Sequence, residues 1–146
     1  RTDERMRAIV THLSERGADE AGVAVRGLDA DARIPGLDHE RAKVDADGIG
    51  GADVVVVPLE DGDRAEALAA MGKSEVVIDL NPLSRSAQAA TVPIVDNVLR
   101  AVPNVADHAR DLSGASQTEL EAILRAFDAD AALEAAEDAI RSGELD

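Results

Sequence analysis

Two unbroken runs of β-branched residues, Val54-Val55-Val56-Val57 and Val76-Val77-Ile78, stand out from the otherwise mixed polar and apolar pattern of the chain. Apolar runs without polar alternation predict strands covered on both faces, as in a parallel sheet. Residues 63–71 between them predict a short helix, closed by the turn pair Gly72-Lys73. Residues 91–95 predict a third strand, and Pro93 places it at a sheet edge. Parallel strands joined by right-handed crossovers bring their carboxyl ends to one edge, outside which ligands of open α/β sheets bind. The expected fold class is therefore α/β, a mostly parallel sheet flanked by helices in a Rossmann-like three-layer arrangement.

The flanking segments carry helical periods. Thr2 is placed to cap a helix whose inner face is Met6, Ile9, Val10 and Leu13, with Gly17 as its stop. Residues 22–25 suggest a short strand. Residues 26–51, rich in Asp, Gly and Pro, read as a long ordered loop with one helical turn, of the kind that often carries function. Its His39 has no second His or Cys nearby and reads as a surface or capping residue. Beyond the central unit, residues 84–90 read as a short helix and 98–110 as a helix broken at Pro103. Ser116-Gln117-Thr118-Glu119 is a capping box for a helix presenting Leu120, Ile123, Leu124 and Phe127 on one face. A last helix, about 130–141, buries Leu133, Ala136 and Ile140.

Length and composition bound the function. At 146 residues the chain fits one domain, here read as a single nucleotide-binding domain ending in helices over about 116–142. Without cysteine it has neither disulfides nor thiolate metal sites. No apolar run reaches the ~20 residues of a membrane span. A cytoplasmic protein without a membrane partner is expected. Thirty acidic and fifteen basic residues give a net charge of −15, which argues against a nucleic-acid partner. Lys43 and Lys73 are the only lysines against thirteen arginines, and Phe127 is the only aromatic residue. So acidic and lysine-poor a surface points to a halophilic protein.

Two loops leave the predicted carboxyl edge with concentrated polar chemistry. In Glu60-Asp61-Gly62-Asp63-Arg64 the glycine permits close backbone approach, and Asp63 is placed to cap the next helix. The carboxylates of Asp61 and Asp63 suit Mg²⁺ carried on a polyphosphate, and Arg64 suits the phosphate itself. The bland alternative, a capped turn with solvated acids, stays open, because neither GxGxxG nor GxxxxGK[ST] is present. In Asn81-Pro82-Leu83-Ser84-Arg85 an amide, a hydroxyl, a guanidinium and helix amides converge, a set suited to phosphate or carboxylate. Asp79, an acid inside an apolar strand, needs a partner. Pairing with Arg64 or Arg85, or orienting a ligand, explains it equally well.

These motifs carry a resemblance. VVVVPLEDGDRAEALAAMGK and VVIDLNPLSRSAQAATVPIVDNVLRAVPN, with the opening RTDERMRAIVTHLSERGA, resemble the archaeal phosphopantothenate synthetase (4-phosphopantoate–β-alanine ligase) family. The resemblance implies an ATP-dependent ligase of coenzyme A biosynthesis that joins 4-phosphopantoate to β-alanine and releases AMP and pyrophosphate. It implies a homodimer. Taken with the loop chemistry above, Arg85, Asn81 and Asp79 are expected to serve catalysis, and Glu60, Asp61, Gly62, Asp63, Arg64 and Ser84 to hold ATP and its Mg²⁺. Which loop takes which ligand stays open. Family members carry a further N-terminal region, so the chain is expected to be the C-terminal portion of a longer protein. A non-catalytic nucleotide-binding or dimerisation domain is the alternative.

Overall fold

The computed structural model describes residues 2–58 and 62–143, so the expectations for Glu60 and Asp61 lie outside the described residues. The chain divides into two compact units, residues 1–53 and 54–146.

The first unit opens with α1 (Asp3–Glu15), where the Thr2 hydroxyl accepts the Arg5 amide at 3.4 Å. Asp3 and Glu4 in the first turn complement the helix dipole. Gly17, at φ 92°, takes the left-handed conformation that ends it. The apolar stripe of α1 is predicted correctly in position, yet none of its residues is buried. Residues 22–25 do not form a strand. Gly22 sits in a turn at φ 69°, and residues 23–25 join neither sheet formed by the described residues. The 26–51 loop is more ordered than its sequence suggests. Strands β1 (Ala32–Arg33) and β2 (Lys43–Val44) form an antiparallel ladder, with a 3-10 turn at Glu40–Ala42 and a wide turn at Ala46–Gly50. Ile34, Ala42 and Val44 are its buried apolar residues.

The second unit is the predicted α/β core. Strands β3 (Val54–Val57), β4 (Ser74–Asp79) and β5 (Val92–Val95) lie parallel in that order. Helix α2 (Gly62–Ala70) joins the first two and α3 (Arg85–Ala89) the last two. The sheet is flanked by helices, and Pro93 sits on an edge strand as expected. Buried Ala65 and Leu68 of α2 pack beside Ser86 and Ala87 of α3, small residues that let the two helices approach. Fully burying one leucine is worth about 1.5–3 kcal/mol.

The valine run of β3 departs from expectation. Val55 is buried, but Val54 and Val56 are 57% and 56% exposed, so this edge strand is covered on one face only. Helix α4 (Val98–Asp111) is also not broken at Pro103. The proline removes one amide bond, to the Leu99 carbonyl, and Leu99 is so exposed that water can replace it. Next come α5 (Gln117–Ala126), entered through the predicted capping box, and α6 (Ala129–Ser142). Leu133 of α6 is buried while Ile140 is exposed, and Leu120, Ile123, Leu124 and Phe127 are all exposed. No helix among the described residues is long and apolar enough to cross a membrane.

Candidate functional site

The carboxyl ends of the three parallel strands put the starts of α2, α3 and α4 at one edge of the second unit. The loop after β4 is the best defined. The Ser84 hydroxyl donates to Asp79 Oδ2 at 2.5 Å and accepts the Ala87 amide at 3.0 Å, capping α3. Asp79 Oδ1 accepts the Asn81 amide at 3.0 Å, and Asn81 Oδ1 accepts the Leu83 amide at 3.0 Å. Gln88 closes the loop by donating to the Pro82 carbonyl at 2.8 Å. The partners of Asp79 are therefore Ser84 and Asn81, in place of the expected Arg64 or Arg85. An acid at the end of an apolar strand is accounted for by the loop it ties down.

Arg85 begins α3 and reaches across to α2. Its guanidinium lies 2.7 Å from Asp63 Oδ1 and 3.5 Å from Glu66 Oε1. A Cβ on Gly62 would come within 3.0–3.1 Å of the Arg85 side chain, so this glycine supplies the space in which the arginine rests. Asp63 is not the cap expected of it. It lies inside the first turn of α2, where its charge favours the helix N-terminus and pairs with Arg85. Arg64 stands beside it in the same turn, half-buried. The structure thus joins Gly62, Asp63, Asp79, Asn81, Ser84 and Arg85 at one edge.

Sequence reasoning missed Glu66, a helix-surface acid with no local motif, and the depth of the third loop. At the end of β5 the Asp96 amide donates to the Asp79 carbonyl at 3.2 Å. Asp96 Oδ1 accepts the Asn97 amide at 2.6 Å and Arg100 Nε at 2.9 Å. Bonding to Arg100 holds the Asp96 carboxyl below the usual carboxylate range, with help from the Asn97 amide. Asn97 caps α4 by accepting the Leu99 amide at 2.8 Å. α3 has only five residues, so the nine-residue α2 and the fourteen-residue α4 are better sources of helix amides.

No group of three or more His, Cys, Asp or Glu among the described residues converges to hold a metal ion. His39, half-buried in the first unit, makes no capping bond, and neither ring nitrogen has a hydrogen-bond partner among the described residues.

The family model described as phosphopantothenate/pantothenate synthetase matches residues 1–143. The chain belongs to the phosphopantothenate/pantothenate synthetase family. Relatives named 4-phosphopantoate–β-alanine ligase include those of Thermococcus onnurineus and Thermococcus kodakarensis. Each is 50% identical over 128 residues, covering 88% of this chain and 48% of the relative. The Methanosarcina mazei ligase is 45% identical over 128 residues, covering 88% of this chain and 49% of its own length. The chain thus spans about half the length of the curated relatives it matches. Each of these relatives carries a ligase name.

Proposed function

We propose that this chain carries the anion-binding edge of an ATP-dependent ligase that joins 4-phosphopantoate to β-alanine, giving 4'-phosphopantothenate, AMP and pyrophosphate. The observation that carries the reading is Arg85, a two-pronged donor at the start of α3 that reaches the acids of α2 at the carboxyl edge of a parallel sheet. The ligase names of the relatives, and the motifs shared with the family, supply the chemistry.

A carboxylate has no leaving group, so it must be activated before an amine displaces anything from it. In this reading a carboxylate oxygen of 4-phosphopantoate attacks the α-phosphorus of ATP. The bond from that phosphorus to the bridging oxygen breaks and pyrophosphate leaves. The neutral amine of β-alanine then attacks the acyl carbon, the bond to AMP breaks, and the nitrogen loses a proton. Arg85 and the first-turn amides of α2 balance phosphate charge, while Asp79, Asn81 and Ser84 hold the loop that aims Arg85. Magnesium is assigned to ATP rather than to the chain. Asp63 Oδ1 already faces Arg85, and no three His, Cys, Asp or Glu side chains among the described residues converge. The complete enzyme is proposed to act as a homodimer in the cytoplasm.

The test incubates the protein, and the longest open reading frame containing it, with ATP, 4-phosphopantoate and β-alanine. Mass spectrometry should find 4'-phosphopantothenate, with AMP formed in equal amount. ADP in place of AMP would overturn the adenylate route, and no condensation product from either preparation would overturn the ligase.

A further inference from the structure

Arg85 is engaged by the protein's own acids at the guanidinium that a ligand phosphate would also seek. Its planar fork meets Asp63 at 2.7 Å and Glu66 at 3.5 Å, carboxylates one helical turn apart on α2. Between them they offer two negative charges, as a phosphate dianion does. All three side chains are more than half exposed, at 62%, 55% and 51%, so an incoming anion can reach the fork. The guanidinium also rests against Gly62, where a single added carbon would meet Arg85 Nε and Cζ at 3.0 and 3.1 Å.

We propose that Glu66 and Gly62 are positioning residues for the Arg85 fork: Glu66, with Asp63, holds it as an internal competitor that a phosphate dianion displaces, and Gly62 leaves it room. The proposal rests on the reading of this edge as the ligase site. Because the same displacement cost is set against every anion, only a strongly charged one binds appreciably. The two residues act with opposite sign. Neutralising Glu66 removes a competitor for the fork and a repulsion toward the ligand. Adding a methyl at Gly62 pushes the fork out of place without touching any charge. A residue that merely stabilised the fold would weaken binding when changed.

The test is calorimetric titration of this chain with inorganic phosphate, ATP and 4-phosphopantoate, alongside ¹⁵N spectra of the Arg85 Nε group. Glu66→Gln should tighten phosphate binding about two- to fivefold, the range an exposed charge pair commands, with an unchanged melting temperature. Its Arg85 Nε proton should exchange faster before ligand is added. Gly62→Ala should weaken binding severalfold, although alanine is a good residue for a helical position. Glu121→Gln, which disrupts a comparable 3.5 Å pair with Arg125 on α5, is the control and should change nothing. Whichever of ATP and 4-phosphopantoate follows inorganic phosphate in the variants is the molecule whose phosphate Arg85 receives. Wild-type protein that binds none of the three removes the site itself, and this proposal with it. Wild-type binding with Glu66→Gln unchanged or weaker, or with Gly62→Ala unchanged, overturns the proposal and leaves the site standing.

Discussion

Two regions gather acidic side chains around a concavity or an edge, and they use them differently. In the first unit Asp29, Asp31, Asp45 and Asp47 line a depression of about 330 Å³ with Arg26 and Gly27. There Asp45 Oδ2 accepts the Gly27 amide and Asp31 Oδ1 the Ala46 amide, both at 2.7 Å, while Asp47 pairs with Arg26 at 2.5 Å. These aspartates pin the backbone of a segment that has little regular structure to satisfy its own amides. At the carboxyl edge of the second unit the strands supply that order. One acid, Asp79, ties the loop, and the others face an exposed guanidinium. On the proposed reading, a cluster of acids can serve a ligand site where regular elements have already met the backbone's needs and a basic fork stands within reach.

The comparison breaks most visibly at Arg85. In a preparation that turns over, Arg85→Ala should lower kcat/KM about a hundredfold, the effect of losing one preorganised donor to transition-state charge. Its fold should survive, because an exposed charge pair contributes at most about 1 kcal/mol. Arg85→Lys should recover part of the rate, since a point charge does not reproduce a fork. Arg26→Ala, which frees an acid in the first unit, should leave the rate alone. Arg100, outside both predicted loops, is no neutral comparison, because the structure bonds it to Asp96 at the same edge. Equal rates for Arg85→Ala and Arg26→Ala would erase the distinction between the two regions.

Next in size is the difference between the two tethering acids. Asp79→Asn leaves one oxygen but presents an NH₂ group to Ser84 or to Asn81, and should cost about 1–3 kcal/mol in denaturant melts. It should also weaken phosphate binding, because Arg85 follows directly on the loop. Asp45→Asn should likewise destabilise, through Gly27, with no change in phosphate affinity. Loss of binding in both would mean that phosphate affinity reports only global stability.

The contrast also explains what the sequence shows and what it hides. Two of the three parallel strands are legible because uninterrupted Val and Ile runs have few other uses. The third is legible because residues 91–95 are β-branched around Pro93, and the loops leaving all three follow from topology. The same runs conceal that Val54 and Val56 are exposed, since an edge strand and a central one read alike until the neighbours are known. The β1–β2 ladder is invisible because two-residue strands are too short to show a period of two. Asp79 is visibly odd, yet its partner Ser84 looks like an ordinary cap, and only the fold shows one hydroxyl serving both roles. Glu66 has no sequence signal, because acids on helix surfaces are common and its meaning lies in where Arg85 ends.

Glu75 sharpens the comparison from a third side, as an acid with neither role. It is 1% exposed on β4, and neither carboxylate oxygen has a hydrogen-bond partner among the described residues. Burial pushes its pKa above the usual glutamate value, and the nearby Ala69 backbone offsets this in part. The folded state therefore holds a proton over a pH range in which the unfolded chain has released it. That contribution to stability is full below the ordinary glutamate pKa and is lost as pH rises through the folded-state value. Melts of wild type should fall over this window, whereas those of Glu75→Val should not. At neutral pH the variant should be more stable by about 1–2 kcal/mol, the order of an unmet polar burial. Equal pH slopes in both proteins would mean that Glu75 is not the group responsible.

Salt should separate the two regions with the smallest effect. With a net charge of −15 on 146 residues, self-repulsion opposes folding at low ionic strength. Molar potassium chloride, with a Debye length of ~3 Å, screens that repulsion. The melting temperature should rise by a few degrees, since 1 kcal/mol corresponds to roughly 2–4 °C in a domain near this size. The acid-lined depression of the first unit should contribute to the rise, and neutralising Asp29 should reduce it slightly. Phosphate binding at the Arg85 edge should move the other way, because the same screening weakens attraction between fork and ligand. Glu66→Gln should widen that loss, because the competition and repulsion that salt would also screen are gone. A melting temperature that stays flat or falls would show that the acidic surface is not tuned to salt. Binding that strengthens with salt would show that the edge repels phosphate overall, and that Arg85 does not dominate it.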